Sequence, residues 1–185
     1  MDASFPQSFF QSAKFLLTGV VNGTLREGIE GVAAVFLARH YLELALKYTL
    51  FHSRWLKDET HNATDVQPVV RGHDLQKLWD MLTKELKSKP TVVPKGLDLD
   101  FVARFIEEFH AYDPYNWRFR YPGTQIAVAD SSQHSDRPPR EALGIGFASL
   151  LSNLHHANDL LDTLDTYLIE TYGENEDWQE EQNSW

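Results

Sequence analysis

The sequence predicts an all-α protein, an up-and-down bundle of about five helices with a long irregular connection before the last helix. Apolar residues recur at helical spacing over several long stretches, and no stretch alternates apolar and polar residues as a strand would. The segment SKPTVVPKG, with two prolines and a glycine, separates two of these stretches. With 185 residues, 42% of them hydrophobic, the chain can bury a core as one domain. We assign residues 1–172 to that domain and 173–185 to an acidic C-terminal tail.

The first three helices follow from apolar spacing and capping residues. Ser4 is expected to cap the first helix, with Pro6 just inside it, and Gly19 to end it. Residues 27–56 form the strongest periodic segment, and Asp74 then caps a third helix. The third helix has apolar residues at positions i, i+3, i+4, i+7 and i+11, which are Leu75, Leu78, Trp79, Leu82 and Leu86.

The fourth helix is expected to open at Asp98 or Asp100 and to continue to about residue 111. No helical period survives from 112 to 139, and a connection of that length in a compact domain is usually functional or disordered. The aromatic first half is expected to be packed and the second half, ADSSQHSDRPP, to be mobile. The last helix is predicted over about 140–172.

Composition excludes several classes of function. The chain has no cysteine, so it has no disulfide, no thiolate nucleophile and no Cys-ligated metal site. Its formal charge of −10 argues against a general, charge-driven nucleic-acid binder. Much of the acid lies in the tail, so a local basic groove remains open. We find no signal peptide and no apolar run that could cross a bilayer, and we expect a cytoplasmic protein with no membrane partner.

Arg104 and His110 form the candidate catalytic pair. A histidine can move protons during phosphodiester cleavage, while an arginine offsets the charge that develops on the phosphorus. Six residues place the two side chains about 120° apart on one helix. They could therefore share a site only near a helix end or across a two-fold interface. The structural alternative is that Arg104 pairs with Glu107 and Glu108.

A second candidate surface follows that helix in the sequence. Arg118 and Arg120 alternate with the aromatic residues Trp117, Phe119 and Tyr121. Arginine forks and stackable rings suit contacts with phosphates and bases. The alternative is a loop whose rings fill the end of the bundle while the arginines pair with carboxylates.

Three further polar groups have structural explanations that we prefer. Arg39, Glu43 and Lys47 lie at i,i+4 steps, which favours a surface ion ladder over a polar strip facing a neighbouring helix or a second subunit. His155, Asp159 and Asp162 share a face, but a solvated acidic face is preferred to a metal site. His73 precedes the Asp74 cap and is taken as a capping-region residue. We predict no metal and no cofactor.

Three segments together resemble the HEPN superfamily (higher eukaryotes and prokaryotes nucleotide-binding domains). They are ARHYLELALKYTL (38–50), GHDLQKLWDML (72–82) and FIEEFHAYDPYNWRFRYP (105–122), followed by a long last helix. The resemblance implies a bundle of four to five helices, commonly a homodimer with a cleft at the two-fold axis. Many members are metal-independent ribonucleases of toxin–antitoxin or phage-defence systems. Others are non-catalytic partners, some of which bind nucleotides.

The family's catalytic signature is an arginine followed four to six residues later by a histidine, usually with a polar residue directly after the arginine. Arg104 and His110 match the spacing, but Phe105 occupies the polar position. Two hypotheses follow. The first is a dimeric ribonuclease in which Arg104 and His110 are catalytic, and Arg118, Arg120, Trp117 and Tyr121 hold RNA. The second is a non-catalytic homodimeric scaffold that engages a nucleotide or a partner protein.

Overall fold

A computed structural model describes residues 4–55, 72–88, 93–112 and 146–183, without the side chains of residues 4, 54, 55, 112 and 172–183. These ranges contain five α-helices and no strand, so the predicted all-α class is confirmed. The helices are α1 (Ser4–Val21), α2 (Val32–Trp55), α3 (Leu75–Lys87), α4 (Leu99–Tyr112) and α5 (Phe147–Asn183). A π-helical turn, Glu27–Gly31, leads into α2.

Helix α2 lies at the centre of the bundle. It packs against α1, α3 and α5, while α4 packs against α3 and α5. The core along α2 consists of Ala34, Val35, Ala38, Tyr41, Leu42, Ala45, Leu46 and Leu50. Because neighbouring helices cover α2 on several sides, polar residues beside its apolar stripe are buried as well. Arg39 and Glu43 are two of these buried polar residues.

The starts of α3 and α4 follow the predicted caps. The Asp74 carboxylate accepts a hydrogen bond from the backbone N–H of Lys77 at 3.1 Å, and Asp98 accepts one from Phe101 at 3.0 Å. Asp98, rather than Asp100, is therefore the residue that caps α4. Each bond satisfies one of the donors that a helix leaves open at its first turn.

Three helix boundaries differ from the prediction. Helix α1 continues past Gly19 to Val21, and the chain turns at Gly23, whose φ of 72° suits glycine. The helical part of 27–56 begins as a π turn. Helix α5 runs to Asn183, well beyond the predicted end at about 172. The predicted start of α5 at 140 and the irregular segment 113–139 lie outside the described residues. None of the described helices combines the length and apolarity that a bilayer span needs.

Candidate functional site

A buried ion pair on α2 faces the start of α3. The side chains of Arg39 and Glu43 are each 1% exposed, so the surface ladder we preferred for them is wrong. Arg39 Nη1 donates to Glu43 Oε2 at 3.4 Å, and its Nη2 donates to the backbone carbonyl of His73 at 2.6 Å. The strip therefore faces a neighbouring helix, which was the alternative. Arg39 connects α2 to the residue before the α3 cap.

Glu43 is the acceptor at the centre of this cluster. Its Oε1 accepts from Lys47 Nζ at 2.9 Å and lies 2.7 Å from His73 Nδ1. Burial alone would raise the pKa of Glu43, but the hydrogen bonds from Lys47 and His73 and the positive charge of Lys47 outweigh it, and the pKa is lowered. Glu43 is thus an ionised carboxylate beneath the protein surface.

His73 joins this buried carboxylate to solvent. Its side chain is 55% exposed, whereas that of Glu43 is 1% exposed. Because an ionised carboxylate can only accept hydrogen bonds, His73 Nδ1 must carry the proton in their bond. In the neutral ring, Nε2 is then the acceptor nitrogen. The sequence offered His73 only as a capping-region residue, and its bond to Glu43 was not foreseen.

His110, on α4, lies beside Asp74, the residue that follows His73. Its Nδ1 lies 3.6 Å from Asp74 Oδ1, and that buried nitrogen has no hydrogen-bond partner among the described residues. The side chain is 35% exposed. His73 and Asp74 are consecutive, so the two imidazoles contact carboxylates on or beside neighbouring residues at the start of α3. We call His73, Asp74 and His110, with Glu43 and Lys47 beneath them, the junction site.

Arg104 is not part of the junction site. It is exposed, and it makes no hydrogen bond or ion pair with any residue that the structure describes, including Glu107 and Glu108. Both residues lie on α4, where a spacing of six positions corresponds to about 120° around the helix. The other predicted binding residues, Trp117, Arg118, Arg120 and Tyr121, lie outside the described residues.

A second imidazole–carboxylate pair joins α2 to α5. His52 Nδ1 lies 2.7 Å from Asp165 Oδ1, with the two side chains 17% and 14% exposed. The ring of Tyr48 meets His52 edge-on, with the ring centres 4.3 Å apart. We call His52 and Asp165 the α2–α5 pair. The sequence carried no signal for it, because its partners are separated by 113 positions.

The acidic face of α5 shows no metal-binding arrangement. His155 packs edge-on against the ring of Phe10, with the ring centres 5.3 Å apart. Asp159 and Asp162 are exposed. Within 4–55, 72–88, 93–112 and 146–171, no three His, Asp or Glu side chains are placed to hold one metal ion.

Comparisons of the chain with protein-family models, with curated proteins and with solved structures found no match.

Proposed function

We propose that this protein is a HEPN-like ribonuclease that cleaves RNA by acid–base catalysis without a metal ion, with His110 in its active site. The supporting observation is the position of His110 beside Asp74. A carboxylate 3.6 Å from an imidazole can close to a hydrogen bond when substrate binds, and such a bond would orient the ring for proton transfer during phosphodiester cleavage. Asp74 is itself held in place, because its carboxylate caps α3 through the N–H of Lys77.

Arg104 enters this proposal through a second protomer. In one chain it lies on a different side of α4 from His110, so the two cannot hold the same phosphate. In a homodimer whose two-fold axis passes near α4, Arg104 of one protomer can face His110 of the other. The exposure of Arg104 among the described residues leaves its guanidinium available for that role. Arg118, Arg120, Trp117 and Tyr121 remain the proposed contacts to RNA.

The test is cleavage of an end-labelled single-stranded RNA in the presence of EDTA. We expect the wild type to produce fragments ending in a 2′,3′-cyclic phosphate. We expect His110→Ala to lose activity by about 100-fold or more, the usual contribution of a general acid or base. Thermal unfolding of the variant checks that it remains folded. A wild type that leaves the RNA intact, or a folded His110→Ala that cuts it equally well, contradicts the proposal.

The second candidate is a non-catalytic HEPN-like homodimer that binds a nucleotide, an RNA or a partner protein. It is favoured by the separation of Arg104 from His110 within one chain. It predicts that labelled RNA or nucleotide binds without being cut, and that replacing Arg118 and Arg120 together abolishes binding. The cleavage assay separates the two candidates, because any EDTA-resistant cutting that depends on His110 excludes the second.

A further inference from the structure

We propose that His73, oriented by Glu43, is a second catalytic residue of the junction site and acts as the general base on the 2′-hydroxyl of RNA. The inference rests on the proposed function and deepens it. It assigns the partner that His110 needs, because cleavage by proton transfer requires one group to accept a proton and another to supply one.

Glu43 holds His73 more firmly than a surface carboxylate could. Its two oxygens receive hydrogen bonds from Arg39, Lys47 and His73, and its side chain is 1% exposed. Contacts from three directions restrict its rotation, so the His73 ring is fixed with Nδ1 inward. A carboxylate that fixes the Nδ1 proton keeps Nε2 as a base and stabilises the imidazolium that forms. Glu43 is therefore a positioning residue.

The exposure of His73 distinguishes this bond from a structural one. A pair that serves only to join two helices has no need for one partner to face solvent, and His52 and Asp165 are both largely covered. More than half of the His73 side chain is accessible. Its ring is also not needed to cap α3, because Asp74 already does so. Accessibility with one nitrogen anchored on a buried carboxylate is the geometry of a proton-transfer group.

The two imidazoles can carry out both proton transfers of the cleavage reaction. His73 takes the proton from the 2′-hydroxyl as the 2′-oxygen bonds to phosphorus. His110 gives a proton to the 5′-oxygen as the bond between phosphorus and that oxygen breaks. The products are a 2′,3′-cyclic phosphate and a 5′-hydroxyl, and no water, oxidant or metal is consumed. The two imidazoles then return to their starting protonation states by exchange with solvent.

Two substrates separate the two roles. A single-stranded RNA oligonucleotide has a poor leaving group that needs protonation, whereas the nitrophenolate of uridine 3′-(4-nitrophenyl phosphate) leaves without a proton. We expect His73→Asn to slow both reactions by about 100-fold or more. We expect His110→Ala to slow the oligonucleotide strongly and the nitrophenyl ester by less than about 10-fold.

The α2–α5 pair supplies the matched control. His52→Asn removes an imidazole that makes the same 2.7 Å bond to a carboxylate outside the junction site. We expect cleavage by this variant to match the wild type.

Glu43→Gln tests the positioning role of Glu43. The substitution keeps the size of the side chain and should slow cleavage of both substrates as His73→Asn does. Should that variant not fold, His73→Asn still decides the matter, because the exposed His73 ring can be replaced without opening the core.

The outcomes are distinguishable. A wild type that cuts RNA, with loss in His110→Ala but full activity in a folded His73→Asn, overturns the role of His73 and leaves the proposed function standing. A wild type that cuts neither substrate overturns both the proposed function and the role of His73.

Nitrogen-15 NMR gives a readout independent of activity. It should show the neutral His73 ring protonated on Nδ1, and a proton on Nε2 instead would overturn the orientation by Glu43.

Discussion

Two imidazole–carboxylate bonds of equal length serve different regions of this molecule. In the α2–α5 pair, His52 and Asp165 are both mostly covered, and their bond joins two packed helices. In the junction site, Glu43 is covered while His73 is largely open to solvent. Both nitrogen–oxygen distances are 2.7 Å. The length of the bond therefore says little about its role, and the exposure of the imidazole says more.

The charges around the two bonds also differ. Near the α2–α5 pair, Tyr41 donates a hydrogen bond to Asn158, and burial, followed by the charges of Asp162 and Asp159, raises its pKa above the ordinary value. The Tyr41 hydroxyl therefore stays protonated beside the negatively charged carboxylates of Asp159 and Asp162. Around Glu43 the neighbours are cations, Arg39 and Lys47. These two positive charges balance the carboxylates of Glu43 and Asp74, whereas the α5 face carries the uncompensated charges of Asp159 and Asp162 near Tyr41.

The largest expected difference between the regions is in stability. Glu43→Ala leaves the Arg39 charge buried without its carboxylate, and loss of one partner of a buried pair costs about 3–5 kcal/mol. Asp165→Ala removes a hydrogen bond near the surface, for which we expect about 1–2 kcal/mol. Urea denaturation followed by circular dichroism measures both. Equal losses in the two variants would show that Glu43 supports the fold no more than Asp165 does.

The sequence predicted where the helices around the junction site begin, but it did not predict which polar residues are buried there. Helices α3 and α4 start where the sequence predicts because an Asp cap and an apolar period act within a few residues. The burial of Arg39 and Glu43 could not be predicted from local sequence, since it depends on how α3 packs over α2. The bond from Glu43 to His73 spans 30 positions. One usable signal was present: α2 is apolar on more than one face, which marks a central helix whose polar residues need buried partners.

The next effect concerns packing at the start of α2 and α5. A Cβ atom added to Gly31 would lie 2.7 Å from the ring of Phe147, whereas one added to Gly28 meets nothing within 4 Å. Gly31→Ala must therefore displace the Phe147 ring, at a cost of about 1–3 kcal/mol. Gly28→Ala, in the same π turn, is the control and should change stability by less than about 1 kcal/mol. A Gly31→Ala protein with wild-type stability would mean that the Phe147 ring does not pack tightly against Gly31. RNA cleavage should survive in both variants, because neither glycine belongs to the junction site.

The two helix caps give a smaller and more selective test. Asp74→Ala and Asp98→Ala each remove one capping bond and should each cost about 1 kcal/mol in urea denaturation. Of these two residues, only Asp74 also lies beside His110. We therefore expect only the replacement of Asp74 to lower the rate of RNA cleavage per molecule of folded protein. Asp74→Asn keeps a capping side chain but removes the charge, and it should retain stability while losing activity. Similar cleavage by the Asp74→Ala and Asp98→Ala proteins would limit Asp74 to capping.

The smallest effect is the response of the junction site to acid. The pKa of Glu43 is lowered in the folded protein from an ordinary value of 4.5, because the bonds from Lys47 and His73 outweigh the opposing effect of burial. A lowered pKa contributes stability that is fully present above pH 4.5 and is lost as the pH falls through the folded value. Glu43→Gln lacks this contribution. The difference in unfolding free energy between wild type and Glu43→Gln should therefore shrink as urea titrations move from pH 7 to below 4.5. A difference that stays constant over that range would mean that the Glu43 charge does not support the cluster, and the orientation of His73 would then need another cause.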